Sequence, residues 1–332
     1  MARLEFPENA FTRAFGLAVP IVQAPMGGAA GPRLVAAAAN AGALAILPIW
    51  VGPPAAATEA IMRTRALTQK PFAVNLRADL VQTDHIAAAI AAGVSLVHLF
   101  WGDLAPSMPA IRGGGARAIA TVCDVDTAKS ALDAGAVALI AQGVEAGGHV
   151  QGTTPLAQLV PNVVKEAAGI PVIAAGGIAD AHDVLAALEL GASAVMLGTR
   201  LLASAESDAH PDYKQALLRA KPGDTALSEC FDGFWPNAPH RTLKNSTFVA
   251  WDRAGRPSAG ARPGEGEIVA RIAGAFEIPR YHAATPTQQM VGDCEAMALY
   301  AGTGVGKISD IRPAGTLIGE LVSAVRARLA AD

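Results

Sequence analysis

The chain has 332 residues, 52% of them apolar and 17% charged, so a large buried core is expected and disorder is excluded. A net charge of −3, with no basic run and no aromatic platform, argues against nucleic acid as the main partner. No stretch reaches the roughly 20 apolar residues of a membrane helix, the N-terminal stretch lacks a signal-type apolar core, and Cys123, Cys230 and Cys294 are scattered with no CxxC pair, which predicts a cytoplasmic protein with reduced thiols and no metal centre.

Eight short apolar runs, at 20–24, 43–47, 72–75, 96–100, 118–122, 137–141, 172–175 and 194–197, are each closed by a Gly, Pro, Asn or Gln. Alanine-rich segments with helical spacing lie between them at 32–41, 83–92, 125–134, 156–168 and 181–190. Continuously apolar strands alternating with helices indicate a parallel sheet covered on both faces. Eight such units predict an α/β fold of the closed (β/α)8, or TIM, barrel type. Gly93, Gly135 and Gly191 each follow a helix and precede a strand, as helix C-caps do. The rhythm breaks after Leu202. A helix is expected near 212–220, helical periodicity returns at 288–300, and a final amphipathic helix spans 314–329. The expected division is a barrel over 1–203, completed by that last helix at about 314–330, and a smaller substrate-covering domain over 204–313.

Barrel enzymes build their sites at the C-terminal ends of the strands. Standing there are Ala24-Pro25-Met26 after the first strand, Asn75 after the third, Thr121 after the fifth and Gln142 followed by Gly147-Gly148-His149 after the sixth. Gly176-Gly177 follow the seventh and Gly198-Thr199 the eighth. Glycine pairs at two consecutive strand ends let backbone N–H groups point at an anion, the usual phosphate site of such barrels. No Gly-x-Gly-x-x-Gly or Walker pattern follows a strand, which disfavours dinucleotide and NTP folds. Asn75 and Gln142 suit the polar edge of a flat heterocycle, and Ala24, Pro25 and Met26 offer a backbone edge and an apolar wall. Together these describe flavin mononucleotide (FMN). His149, between glycines and a strand, is placed to move a proton near neutral pH. His98 reads as a satisfied interior residue, and His85, His182 and His210 as surface residues. Cys123 reads as a small filler, Asp180 as a helix cap and Glu145 as a partner of a basic neighbour. Trp101 and Trp235 either line a pocket or simply pack.

Several longer motifs carry a resemblance. Gln23-Ala24-Pro25-Met26, the run from Gly143 to His149, Ala175-Gly176-Gly177-Ile178, Gly198-Thr199-Arg200-Leu201-Leu202, Arg241-Thr242-Leu243-Lys244-Asn245 and the run from Gly292 to Gly302 resemble the nitronate monooxygenase family, which includes flavin-dependent enoyl-acyl-carrier-protein reductases. The resemblance implies an FMN-bound barrel with a small second domain over the flavin, and it matches His149 to the family's catalytic histidine. The expected substrates are an alkyl nitronate or a nitroalkane together with O2. The second reading is an NAD(P)H-dependent reductase of an enoyl thioester or a quinone, and a third is a phosphate-ligand-binding barrel without catalysis. A homodimer is one candidate assembly. The chain departs from strict nitronate monooxygenases at Met196, where they tend to carry Gln. It also has Tyr300 and Lys307 without the second tyrosine of one class, since Thr303, Gly304 and Val305 fill that stretch.

Overall fold

Eight parallel strands close on themselves in a computed structural model that describes residues 6–80, 82–272 and 276–331. They are β1 (Ile21–Gln23), β2 (Leu44–Pro48), β3 (Ala73–Arg77), β4 (Leu96–Phe100), β5 (Arg117–Val122) and β6 (Ala138–Gln142), then β8 (Val172–Ala175) and β9 (Ala194–Leu197). The two-residue strand β7 (Gly148–His149) lies outside the barrel. Pairing of β9 with β1, Val195 opposite Ile21, completes the ring. All eight predicted strands are present, and the α/β barrel expected from the sequence is the fold of the chain.

Side chains alternate between the two faces of a strand. Leu44, Ile46, Ala73, Leu96, Ile119, Ala138, Ile140 and Ile173 therefore fill the barrel, while Ala45, Leu47, Val74, Val97, Leu99 and Leu139 pack outward on the helices. The same parity sends Asn75 and Arg77 of β3, His98 of β4, Thr121 of β5 and Gln142 of β6 to the interior face, toward the C-terminal mouth. A short helix at Ala10–Phe15 adds Phe11 and Phe15 to the interior cluster.

Outside run the helices Pro32–Asn40, Pro54–Leu67, Thr83–Ala91, Met108–Gly113, Val125–Asp133, Leu156–Ala167 and Ala181–Glu189. Pro54–Leu67 and Met108–Gly113 fit the strand–helix rhythm but are not among the segments whose spacing marked a helix. The first buries only Ala57, Ile61 and Thr64, and the second is six residues long, so neither carries a full apolar stripe. The last helix, Ala314–Leu329, buries Leu317, Ile318, Val322 and Val325 and packs against Pro32–Asn40 and Ala181–Glu189.

Beyond the barrel, the helix Pro211–Arg219 stands where one was expected. β10 (Thr225–Ser228) and β11 (His240–Leu243) form an antiparallel sheet with β7, in the order β10-β11-β7. After the helix Ser246–Arg253 come β12 (Ile268–Ile272), β13 (Phe276–Pro279) and β14 (Met290–Gly292), in the order β13-β12-β14. The helix expected over 288–300 is not formed. Gly292 takes φ 135°, which breaks the periodic segment. Asp293 then caps a single 3-10 turn, Cys294–Ala296, by accepting from Ala296 N. Met297, Ala298, Leu299 and Ala301 are all buried, so the apolar residues of that stretch fill a core from every side instead of marking one helix face.

Candidate active site

His149 is fixed at the barrel mouth by two backbone anchors. Its strand β7 pairs with β11, His149 opposite His240. Gln142, at the end of β6, donates from Nε2 to the His149 carbonyl at 3.1 Å. Trp235 stacks on the imidazole, with ring centroids 3.8 Å apart and planes 22° apart. Trp101, His240 and Tyr300 pack around it at 5.9, 5.4 and 5.5 Å. Burial pushes the His149 pKa well below its ordinary value, and the nearby His240 and Arg77 push the same way. The imidazole is therefore neutral at pH 7. Its Nε2 is buried with no hydrogen-bond partner, and so is Gln142 Oε1. Native proteins rarely leave such atoms unmatched, so two orphaned polar atoms on adjoining residues mark a place built to hold something else.

Behind this shell runs a polar chain across three barrel strands. Asn75 Nδ2 donates to His98 Nδ1 at 3.1 Å, and His98 Nε2 meets Thr121 Oγ1 at 2.8 Å. An amide nitrogen only donates, so His98 accepts at Nδ1 and gives its proton to Thr121. Full burial pushes the His98 pKa down to about 3. His98 is thus a satisfied interior residue, as expected. Asn75 spends its Nδ2 within this chain, not at the site surface. His240 is also neutral and locked, accepting from Phe231 N at 3.0 Å through Nε2 and lying 2.9 Å from the Ala238 carbonyl at Nδ1.

The predicted glycine pairs come together, and a later segment binds them. Gly176 and Gly177 take φ 126° and 71°, and a Cβ on Gly177 would sit 2.8 Å from Thr303 Oγ1. Gly302 N donates to Thr199 Oγ1 at 3.0 Å, and Thr303 N to the Glu145 carbonyl at 3.0 Å. Residues 301–304 thereby tie the loops after β6, β8 and β9 together. Ala24 adjoins them, its Cβ 3.7 Å from where a Gly198 Cβ would stand, and the Met26 carbonyl closes the turn after Pro25 by accepting from Ala30 N at 2.8 Å. Among the described residues, the N–H groups of Gly176, Gly177, Gly198 and Thr199 donate no hydrogen bond within the chain. A cluster of free peptide N–H groups on turns of this kind is suited to hold an anion. Gly147 packs against residues 301 and 302, and Gly148, at φ 81°, has open space where a Cβ would be.

The chain matches the nitronate monooxygenase family over residues 8–102 and 104–324. It belongs to that family. As a member of the nitronate monooxygenase family it is an oxidoreductase. It is 35% identical over 271 residues to a nitronate monooxygenase of Pseudomonas aeruginosa, covering 67% of this chain and 77% of that one. It is 36% identical over 248 residues to a 5-hydroxy-7a-methyl-1-oxo-octahydro-1H-indene-4-carboxyl-CoA dehydrogenase of Rhodococcus jostii, covering 74% of this chain and 69% of that one. Among solved structures it resembles FabK of Thermotoga maritima, with TM-score 0.80, 28% identity and 97% of each chain covered.

Within this nitronate monooxygenase fold, two contributors to the site, Arg77 and His240, escaped the sequence reading, and a third, Trp235, was left open. Arg77 lies two residues beyond Asn75, where the third strand was taken to end. The strand runs on, and its parity aims Arg77 inward. Arg77 donates from Nε to Asp79 Oδ1 at 2.9 Å and sets its guanidinium 3.4 Å from the Trp235 ring centre. His240 had no local signal, because only the pairing of β11 with β7 brings it to His149. Trp235 was left between lining and packing, and it proves to be the residue stacked on His149. Glu145 accepts from Leu156 N at 3.0 Å, and its charge also acts on the Arg241 guanidinium. Asp180 caps its helix through Asp183 N at 2.9 Å, as expected, and Lys307 reaches both carboxylates, at 3.1 and 2.6 Å. Cys123 is buried and packs under Gly152.

Proposed function

We propose that the chain is an FMN-dependent enzyme that oxidises alkyl nitronates or nitroalkanes with O2, with His149 as its acid/base residue. The observation that carries this is a neutral, buried imidazole with an unpartnered Nε2 beside a cradle of four free peptide N–H groups. The cradle suits the phosphate of FMN, held by Gly176, Gly177, Gly198 and Thr199. Ala24, Pro25, Met26, Gly147, Gly148 and the orphaned Gln142 Oε1 are assigned to the rest of the cofactor, with Asn75 supporting from behind. FMN supplies the electron acceptor of the reaction.

The protein's own part is to bind, deprotonate and exclude water. Neutral His149 takes the α-proton of a nitroalkane at Nε2. An ammonium or an imidazolium could not do so, and burial is what keeps this ring unprotonated. A nitronate, already deprotonated, needs only to be held. Met26, Phe100 and Trp101 form the apolar wall that keeps water from the reacting carbon. Trp235, His240 and Tyr300, all from beyond residue 203, stand over the mouth, and we assign substrate cover to that segment.

The test is His149→Asn. Turnover of a neutral nitroalkane should fall by roughly 10²–10⁴ while FMN stays bound, and nitronate turnover should fall less. Equal turnover by wild type and variant would remove His149 from this role. A second reading, an NAD(P)H-dependent reductase acting on a thioester, is favoured by the likeness to a carboxyl-CoA dehydrogenase and by Met196 in place of Gln. Mixing the loaded enzyme anaerobically with NADH or with a nitronate separates the two by which one bleaches the flavin.

A further inference from the structure

No route to His149 Nε2 is open in this conformation, since the atom is buried. A group that exchanges a proton there must first displace a neighbour. His240 is held through both ring nitrogens, and Tyr300 is anchored by its hydroxyl, which donates to the Ala283 carbonyl at 2.8 Å. Trp235 is different. Among the described residues its indole N–H makes no hydrogen bond. It sits in the loop between β10 and β11, next to Phe234, which is 85% exposed and takes φ 81°. A bulky residue at such a φ costs on the order of 1–3 kcal/mol, and the mostly exposed Phe234 ring packs on the His282 ring, at 5.4 Å. Arg262 pairs with Asp232 at 2.6 Å and Gly233 N donates to the Tyr281 carbonyl at 3.0 Å, so the base of the loop is fixed while the Trp235 side chain is held by what it touches.

Trp235 touches two groups closely. The imidazole is 3.8 Å from its ring and the Arg77 guanidinium 3.4 Å. Neither distance leaves room for both on one side, so the indole fills a slot between imidazole and guanidinium. Trp50 and Phe100 border it at 5.7 and 6.5 Å.

We propose that Trp235 is the specificity-determining residue of this site, and that substrate enters by taking the indole's place between His149 and Arg77. The inference rests on the function proposed above and names the substrate class more closely: a flat, delocalised, electron-rich group with an apolar tail. A nitro or nitronate group is flat and carries its negative charge toward the guanidinium face. The space the indole leaves, bordered by Trp50 and Phe100, takes the alkyl chain and limits its length.

Two variants of the FMN-loaded enzyme, Trp235→Ala and Trp235→Phe, test this with two readouts. The first is carbethoxylation of His149 by diethyl pyrocarbonate, followed by peptide mass without substrate, with exposed His182 as internal control. His149 should react roughly tenfold faster in Trp235→Ala and at an intermediate rate in Trp235→Phe. The second is KM across nitroalkanes from nitroethane to nitrohexane. Trp235→Ala should lower KM for the longest members relative to nitroethane by roughly tenfold, and Trp235→Phe by roughly threefold. Wild-type labelling rates in variants that melt normally would overturn the proposal. So would faster labelling with an unchanged chain-length profile, since Trp235 would then cover His149 without selecting substrate. A wild-type enzyme that turns over no nitroalkane would defeat the proposed function, and labelling alone would then decide whether Trp235 guards His149. If Trp235→Ala does not fold, Trp235→Phe decides on the same two readouts.

Discussion

His149 and His98 show how one physical effect serves two ends. Burial removes the proton from both rings. For His98 the consequence is stability. Its folded pKa of about 3 lies below the unfolded value near 6.5, so between these the unfolded chain binds a proton that the native one refuses. The contribution is complete above pH 6.5 and is lost as pH falls toward 3, at about 1.4 kcal/mol per pH unit for each such histidine. His149 adds a loss of the same sign. Urea midpoints measured between pH 7 and pH 5 should fall steeply in wild type, and His98→Asn should flatten that slope by about one proton. A parallel slope in the variant would show that His98 is protonated in the native state. For His149 the consequence is chemical. The acid limb of kcat/KM for a neutral nitroalkane should fall below pH 6.5, because the free enzyme keeps this base deprotonated further into acid.

The turn at residues 301–304 is the element that turns strand ends into a site. It grips the loops after β6 and β9 through Glu145 and Thr199 and lies over Gly177. Gly177→Ala would force a side chain into φ 71° and against Thr303 Oγ1 at 2.8 Å. The cost should be about 1–3 kcal/mol, with FMN affinity reduced more than stability. Titration of the apoprotein with FMN, alongside thermal melting, checks both. Retained affinity would place the phosphate elsewhere. This element also shows what the sequence made legible. The barrel strands were readable because each is a continuous apolar run ended by a breaker, and the glycine pairs because they follow such runs directly. Arg77 was missed because a polar Asn75 inside the strand imitates its end. The pairing of β11 with β7 and the turn at 301–304 were not readable, since both depend on contacts between residues some ninety or more positions apart. The apolar stretch near 297–301 imitates helix periodicity while being buried all round.

At the scale of the whole molecule, two helices outside the strand–helix repeat finish the barrel. The helix Ala10–Phe15 adds aromatic rings to the interior, and Ala314–Leu329 fills the outer layer between helices from opposite ends of the barrel sequence. Ile318 is 1% exposed, so Ile318→Ala should cost about 2–5 kcal/mol, read as a lower denaturant midpoint with the barrel's circular dichroism kept. A loss under 1 kcal/mol would mean that the helix is dispensable to the barrel. No described helix is long and apolar enough to cross a membrane. The clamp over the mouth has a further consequence in time. A ribosome makes the eight strands before the turn at 301–304, so a nascent barrel could close before it could grip anything. Any ligand gripped by that turn would have to wait for it, and a chain halted between the eighth strand and the turn would hold none.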